Sequence, residues 1–294
     1  MRKYIHHQFI PILYTFLALS FFFSTCKSKP VPQIPETAPL SLPSASLIFT
    51  DVEAKDPTHL ILSFKLETKI PSALLSQGKI ESWRVNIDGQ NASYAFNLDY
   101  PQGNFVNSSI PLKLNMDIDS LAEKGLAPKD DYSITLITEI GFTSDSAESV
   151  KFDVSGIAEF PGVQAPEFLI TSIAIIKAEL VNTRFRVGMK IDNPNPYPVE
   201  LSTFSYKLYG NGMFWADGLE KNIIRISGNS SVSGNLFMMM NFIDMDRNLL
   251  NQIINLVNVN YRFTGEAQVS TGVEYLPVFS TDFNLSGYSV VLEN

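Results

Sequence analysis

The stretch Asn193-Pro194-Asn195-Pro196-Tyr197-Pro198-Val199 directly follows a run in which apolar side chains recur at every second residue. The apolar members of that run are Phe185, Val187, Met189 and Ile191. This alternation predicts a β-strand with one face in a core and the other face in water. Proline lacks the amide N–H that a β-ladder needs, so the strand is predicted to end at this turn.

Further alternating runs surround this strand. They predict strands near residues 167–176, 179–192, 201–209, 213–220, 222–228, 231–241, 258–270 and 277–291. One helix is predicted at about 246–257, because Leu249, Leu250, Ile253 and Ile254 fall on a single helical stripe. Many short strands at this spacing are typical of an antiparallel β-sandwich.

The two halves of the chain repeat each other. Asn107-Ser108-Ser109-Ile110 matches Asn229-Ser230-Ser231-Val232, and Phe152–Ile157 matches Phe283–Tyr288. A period this long indicates tandem domains and not a solenoid. We therefore expect an all-β protein with one short helix per domain, in two sandwiches at 46–160 and 167–294 joined by a linker at 161–166. The first helix is expected at about 118–124, after Asp117.

Residues 1–25 are typical of a signal peptide. Arg2 and Lys3 precede the apolar run 9–23, which is shorter than the roughly 20 residues that a membrane-spanning helix needs. The following residue, Cys26, is the single cysteine of the chain. Phe23-Ser24-Thr25-Cys26 resembles the lipobox of bacterial lipoproteins, and this resemblance implies that the thiol of Cys26 is acylated and anchors the mature chain. The alternative is an ordinary cleaved signal peptide or an uncleaved anchor.

Residues 26–45 are rich in proline and contain no apolar periodicity, so they are predicted to form an extended tether. Together with the lipobox, this predicts a bacterial envelope protein. Its lipid would lie in the inner or outer membrane, with the domains in the periplasm or at the cell surface.

The charge balance argues against nucleic acid as a partner. The chain carries 22 basic and 30 acidic residues, a net charge of −8, and removal of residues 1–25 takes away Arg2 and Lys3 alone among charged residues. The remaining lysines and arginines are scattered singly along the predicted strands, whereas binding to a phosphate backbone needs them clustered.

The second half resembles the water-stress and hypersensitive-response domain of group 2 late-embryogenesis-abundant (LEA type 2) proteins. The resemblance is carried by the alternating strand 185–192, the Asn-Pro-Asn turn with its following Tyr-Pro, and the aromatic strand 204–212. It implies an immunoglobulin-like or fibronectin-III-like sandwich, no enzymatic activity, and a link to desiccation and stress tolerance. The first half departs from the pattern, because its strand 60–66 is followed by no Asn-Pro-Asn.

No catalytic or metal-binding residues are predicted, and no cofactor. After the signal peptide the chain has one histidine, His59, and it lacks a Gly-x-Ser-x-Gly elbow. With one cysteine and one histidine, a Cys/His metal site is excluded. The acidic residues Asp117, Asp119 and Glu123 lack calcium-loop spacing and are better explained as helix caps.

Two functions remain open. The preferred one is a non-enzymatic, membrane-tethered binding or protective module, whose partners are the membrane, through the lipid anchor, and an envelope protein or polymer. The alternative is a carrier that holds an apolar ligand or lipid between sheet and helix. Residues 237–242 are apolar on both faces, so this strand either lines such a site or is a core strand packed under the helix. The candidate ligand residues are Met238, Met240, Leu250 and Ile254.

Overall fold

The computed structural model describes residues 43–69, 77–105, 107–143, 149–177, 182–241 and 258–293. Within these residues the chain is nearly all β, with antiparallel sheets and a single α-helix, which confirms the predicted fold class. Apolar residues alternate along most strands, so each sheet presents one face to a core.

The first half contains eight strands. They are β1 (Ser44–Asp56), β2 (His59–Lys69), β3 (Gln77–Ile87), β4 (Gln90–Asn91), β5 (Phe96–Asp99), β6 (Ser109–Asp117), β7 (Asp131–Thr143) and β8 (Ser149–Pro161). A 3-10 helix, Ser93–Ala95, precedes β5. The strands form two sheets, ordered β1-β2-β6-β5 and β4-β3-β7-β8. Side chains from both sheets fill one core, in which Leu62, Leu112, Val85 and Leu136 are fully buried.

The helix α1 (Ile118–Glu123) lies where the sequence predicts it. The carboxylate of Asp117 accepts hydrogen bonds from the backbone N–H groups of Asp119 (3.0 Å) and Ser120 (3.3 Å). Asp117 is thus an N-cap, because its side chain satisfies amide groups that lack a partner in the first helical turn.

The second half also contains eight strands. They are β9 (Glu167–Lys177), β10 (Asn182–Asn193), β11 (Val199–Gly210), β12 (Met213–Glu220), β13 (Ile224–Ile226), β14 (Ser230–Asn241), β15 (Asn258–Ser270) and β16 (Val278–Glu293). Each strand predicted in this half is confirmed, with ends that differ by a few residues. The helix predicted at 246–257 lies outside the described residues.

These strands follow one continuous path, β12-β11-β15-β16-β9-β10-β14, and β13 adds to β11. The path joins two layers through β16. Most of β16 pairs antiparallel with β15, whereas its last residues, Val291–Glu293, pair in parallel with Ile173–Ile175 of β9. Phe185, Leu208, Trp215 and Phe263 are among the buried side chains between the layers.

The two halves share one strand order. The sheets β1-β2-β6 and β4-β3-β7-β8 correspond to β9-β10-β14 and β12-β11-β15-β16. In both, the third and fourth strands form a hairpin whose two turn residues have positive φ, Asp88-Gly89 in one and Asn211-Gly212 in the other. Such turns favour Asn, Asp and Gly because only these residues adopt left-handed conformations at low cost.

The repeated Asn-Ser-Ser motif also has one conformation in both halves. Asn107 (φ 47°) and Asn229 (φ 49°) are both left-handed, and each precedes a strand that starts in the Ser-Ser pair, β6 or β14. The sequence repeat therefore corresponds to a repeat in backbone geometry.

All described residues belong to one compact unit. It contains two separate hydrophobic clusters, one drawn from residues 47–160 and the other from residues 163–283. Whether each half folds alone, with boundaries at 46–160 and 167–294, stays a prediction. Within the described part of the chain, no helix is long and apolar enough to cross a bilayer.

Candidate functional site

The Asn-Pro-Asn turn contacts the linker between the two halves, and both of its asparagine side chains are buried. Asn193 and Asn195 are 2% and 1% exposed, although both are polar. Buried amides are tolerated only when their donors and acceptors are paired, because an unpaired buried polar group costs about 1–3 kcal/mol. The hydrogen bonds of these two side chains therefore indicate what the turn does.

Asn193 connects the turn to the chain after β13. Its Nδ2 donates to the carbonyl oxygens of Tyr197 (2.8 Å) and Ser227 (3.1 Å). Its Oδ1 accepts from both the backbone N–H (3.1 Å) and the side-chain Nδ2 (2.8 Å) of Asn195. The carbonyl oxygen of Asn195 in turn accepts from the N–H of Asn229 (2.8 Å), the left-handed residue of the repeat.

Asn195 connects the turn to the linker between the halves. Its Nδ2 donates to the carbonyl oxygen of Gln164, and its Oδ1 accepts from the N–H of the same residue, both at 2.8 Å. The side-chain amide thus pairs with Gln164 as a neighbouring strand would. Every side-chain N and O atom of the two asparagines has a partner, which explains how they tolerate burial.

The backbone of the turn approaches Gly228 so closely that a larger residue would not fit there. A Cβ atom at Gly228 would collide with the carbonyl oxygen of Pro196. Pro194 and Pro196 lack N–H groups, so neither adds a donor that the turn would have to satisfy. The turn is therefore a packed junction and not a free loop.

Two tyrosines also bind the backbone near the linker. The hydroxyl of Tyr197 donates to the carbonyl oxygen of Gly162 (2.6 Å), and that of Tyr275 donates to the carbonyl oxygen of Pro161 (2.5 Å). Burial raises the pKa of Tyr197 to about 12, with a smaller contribution from the carboxylates of Asp130 and Asp131. Burial likewise raises the pKa of Tyr275. Both hydroxyls therefore remain protonated donors at neutral pH.

An open cleft of about 1100 Å³ lies beside this junction, between the two halves. Its aromatic wall consists of Phe160, Tyr197 and Tyr275, and Pro198 of the turn adjoins them. Phe160 stacks on Tyr132 (5.5 Å between centroids) and meets the edge of Tyr275 (5.9 Å). The wall is thus a set of packed rings contributed by both halves.

Carboxylates dominate the charge of the cleft. One arginine, Arg225, lies among five acidic residues, and its Nε is 3.5 Å from Oε1 of Glu200. The acidic residues are Asp51, Glu53, Glu159, Glu200 and Glu274. Like charges repel, so this lining disfavours anions and suits neutral or cationic groups.

The remaining predicted site residues are only partly described. Met238 is 2% exposed and pairs in register with Phe185, which stacks on Trp215 at 5.2 Å. Its neighbours Phe237 and Met239 are 60% and 62% exposed, so β14 has one buried and one exposed face. The side chain of Met240 lies outside the described part of the chain, as do Leu250, Ile254 and Cys26. The proposed apolar site and the lipidation site therefore stay predictions.

His59, the one histidine after the predicted signal peptide, begins β2. His59 is 62% exposed at its side chain, and its Nδ1 lies 3.0 Å from Oδ1 of Asp56. The hydrogen bond and charge of Asp56 raise the pKa of His59. Among the described residues, no group of three or more His, Cys, Asp or Glu side chains is arranged to hold a metal ion.

No protein-family model matches the chain, and no curated protein matches it. A solved structure of a protein from Archaeoglobus fulgidus is 18% identical, over 43% of this chain and 98% of its own, with a TM-score of 0.26. A calcium-binding mutant of β-glucuronidase 2 from Bacteroides uniformis is 9% identical over 78% of this chain, with a TM-score of 0.23. The chain spans 26% of that enzyme's length. Likenesses this weak carry no argument about the function of this chain.

Proposed function

We propose that this chain is a non-enzymatic lipoprotein of the LEA type 2 kind, anchored to the bacterial envelope through Cys26. It acts as a binding or protective module linked to stress tolerance. Its partner, an envelope protein or polymer, is engaged at the cleft beside the Asn-Pro-Asn turn.

The observation that carries this proposal is the buried hydrogen-bond network of Asn193 and Asn195. The motif on which the family resemblance depends is used here to fix the linker. Fixing the linker holds together the lining residues that the two halves contribute to the cleft, among them Phe160 from the first half and Tyr197 from the second. A preformed cleft lowers the entropy cost of binding, which suits a binding module.

The anchor is tested by Cys26→Ser in the full chain. We expect this variant to leave the membrane fraction after processing, or to accumulate as an unprocessed precursor, because no thiol remains to be acylated. Fractionation and intact mass measurement distinguish these two results from the parent. A variant that is processed and retained like the parent would contradict the lipoprotein assignment.

The cleft is tested by reversing one of its charges. Glu274→Lys should weaken pull-down of a partner from the protein's own envelope, because it changes the charge of the acidic lining. Glu123→Lys is the matched control, since Glu123 is an exposed acid on α1 and lies outside the cleft lining. Equal loss in both variants would indicate a general charge effect and would overturn the cleft as the binding site.

One observation favours the alternative, an apolar-ligand carrier. Thr183 Oγ1 and Trp215 Nε1 are buried, and neither has a hydrogen-bond partner among the described residues. Both lie on strands that carry the packed pair Phe185 and Trp215, beside Met238. A bound lipid headgroup or carboxyl group would satisfy such atoms. Solvent extraction of the purified full chain followed by mass spectrometry tests this candidate, and recovery of no stoichiometric lipid would rule it out.

A further inference from the structure

The cleft beside the Asn-Pro-Asn turn contains acidic side chains without a basic partner. Glu200 lies 3.5 Å from Nε of Arg225, which accounts for one of the five carboxylates in the lining. Among the described residues, the other four are in no ion pair, namely Asp51, Glu53, Glu159 and Glu274. Several carboxylates on other surfaces are paired, as Asp153 is with Arg84 at 2.7 Å. Like charges that line one cleft without counterions attract a cation into it.

These carboxylates surround the cleft instead of lying on one segment. Asp51 and Glu53 are both on β1, and because side chains alternate along a strand they project from the same face. Glu159 is on β8, and Glu274 is in the loop between β15 and β16. All four are exposed. A ligand in the cleft therefore meets negative charge from both halves of the chain.

The aromatic part of the lining suits the side chains of lysine and arginine. Tyr197 and Tyr275 are half-buried, so part of each side chain is accessible. The face of an aromatic ring attracts an ammonium or guanidinium group. The aliphatic stems of lysine and arginine also pack on apolar surface while their charged ends stay in water. A metal ion has no such stem, so the rings and the carboxylates together favour an organic cation.

Two strands present sheet edges to this cleft. β1 and β8 each end a sheet within the described residues, and residues 51–54 and 159–161 belong to the lining. The edge of a sheet carries backbone N–H and C=O groups without a ladder partner, and an extended peptide satisfies such groups by adding as a further strand. The volume of about 1100 Å³ also exceeds the roughly 300–1,000 Å³ of pockets that hold small molecules. Both properties favour a peptide over a small cation.

We propose that the cleft binds an extended segment of a partner protein that carries lysine or arginine side chains. The main chain of this segment pairs with the edge of β1, and its basic side chains meet the carboxylates around it. The partner thus supplies the positive charge that the lining lacks. This inference names the chemistry of the partner, and it rests on the proposed function for one point, namely that the partner binds in the cleft.

The test measures the binding of labelled synthetic peptides to the full chain in detergent micelles by fluorescence anisotropy. The first peptide alternates lysine with threonine, and the second alternates glutamate with threonine. A third has the lysine sequence with methyl groups on its backbone nitrogens, so it keeps its charge but cannot donate hydrogen bonds to a sheet edge. Spermine, a polyamine without a peptide backbone, is the competitor.

The protein variants remove equal charge inside and outside the cleft. Glu159→Gln/Glu274→Gln neutralises two carboxylates of the lining. Glu123→Gln/Glu266→Gln is the matched control, because both residues are exposed and lie outside this lining.

We expect the lysine peptide to bind the parent and the glutamate peptide not to bind. The cleft variant should bind the lysine peptide about tenfold more weakly, because two exposed ion pairs are lost, and the control should stay within about twofold of the parent. Added salt should weaken binding by screening. The methylated peptide should bind less tightly than the lysine peptide, and spermine should displace the lysine peptide only at a large excess.

Equal weakening in the two double variants would overturn the proposal, because binding would then follow the net charge of the protein. So would a methylated peptide or spermine that binds as tightly as the lysine peptide, since the sheet edge would then take no part. The Glu274→Lys pull-down tests the cleft whatever its ligand. Loss of the envelope partner in that variant, without binding of the lysine peptide to the parent, would refute this inference and leave the proposed function standing.

Discussion

The second strand of each half ends in a different way, although the two halves share a strand order. Near the end of β2, the hydroxyl of Thr68 donates to the carbonyl oxygen of Phe105 (2.7 Å), which ties the strand to the segment before β6. At the end of β10, Asn193 ties the strand to the segment before β14, and Asn195 additionally reaches Gln164 in the linker. The same position in the strand order is thus held by different hydrogen bonds in the two halves.

An asparagine side chain offers more hydrogen-bonding groups at this position than a threonine does. A threonine hydroxyl has one donor, so Thr68 serves a single neighbouring segment. An asparagine amide has two donors and an acceptor oxygen, so the pair Asn193 and Asn195 serves three segments at once. The Asn-Pro-Asn pattern therefore appears in the half that must also hold the linker.

The largest expected effect is the loss of stability on replacing Asn195, compared with the loss on replacing Thr68. Asn195→Ala removes both hydrogen bonds to Gln164 and the one to Asn193, so we expect a loss of about 3 kcal/mol in the free energy of unfolding. Thr68→Ala should cost about 1 kcal/mol, because fewer buried groups lose a partner. Urea denaturation of both variants measures the difference, with the exposed Asn235→Ala as control. Equal losses at Asn195 and Thr68 would show that the two strand ends are stabilised to the same extent.

A second experiment compares the glycines that the repeat aligns, Gly156 and Gly287. A Cβ at Gly156 would lie 2.8 Å from the carbonyl oxygen of Leu47, whereas at Gly287 it would meet the hydroxyl of Tyr261 at 2.7 Å. Backbone does not move aside, but a tyrosine side chain can rotate. We expect Gly156→Ala to destabilise by about 1–3 kcal/mol, and Gly287→Ala by much less. Thermal unfolding of the two variants checks this, and the reverse order would show that the backbone at Leu47 yields more easily than the side chain of Tyr261.

The smallest expected effect concerns how Tyr197 changes the free energy of unfolding at alkaline pH. The raised pKa of Tyr197, about 12, means that the folded state holds this proton more tightly than the unfolded state does. Its contribution to stability is therefore complete below pH 10 and is lost as the pH rises through about 12, by about 1.4 kcal/mol for each pH unit at most.

Tyr197→Phe has no proton to lose at this position, so its unfolding free energy should fall less steeply above pH 10 than that of the parent. Denaturant titrations on both sides of pH 10 measure the two slopes, with Tyr94→Phe as an exposed control. Parallel slopes for the parent and Tyr197→Phe would mean that folding does not raise the pKa of the Tyr197 hydroxyl.

The sequence predicts most of the second half because alternation and turn residues act locally. The ends of β12 and β15 agree with the predicted ranges, and the proline turn ends β10 where expected. The contact between Asn195 and Gln164 has no such local signal, since it joins residues that are distant along the chain. The cleft has no local signal in the sequence either, because Phe160 and Tyr275 meet only after both halves have folded. The parallel pairing of β16 with β9 also joins distant residues, so the sequence pattern does not predict it.

That parallel pairing affects the order in which the two halves fold. Val291–Glu293 pair with Ile173–Ile175, so the first strand of the second half waits for the end of β16, which is synthesised after all the other described strands. The first half has its final strand complete at Pro161. Folding from the N-terminus during synthesis is the usual sequence in multidomain chains, and distant pairings form slowly. The second half therefore closes only after β16 has been synthesised, and until then β9 has an unpaired edge that is open to pairing with other chains.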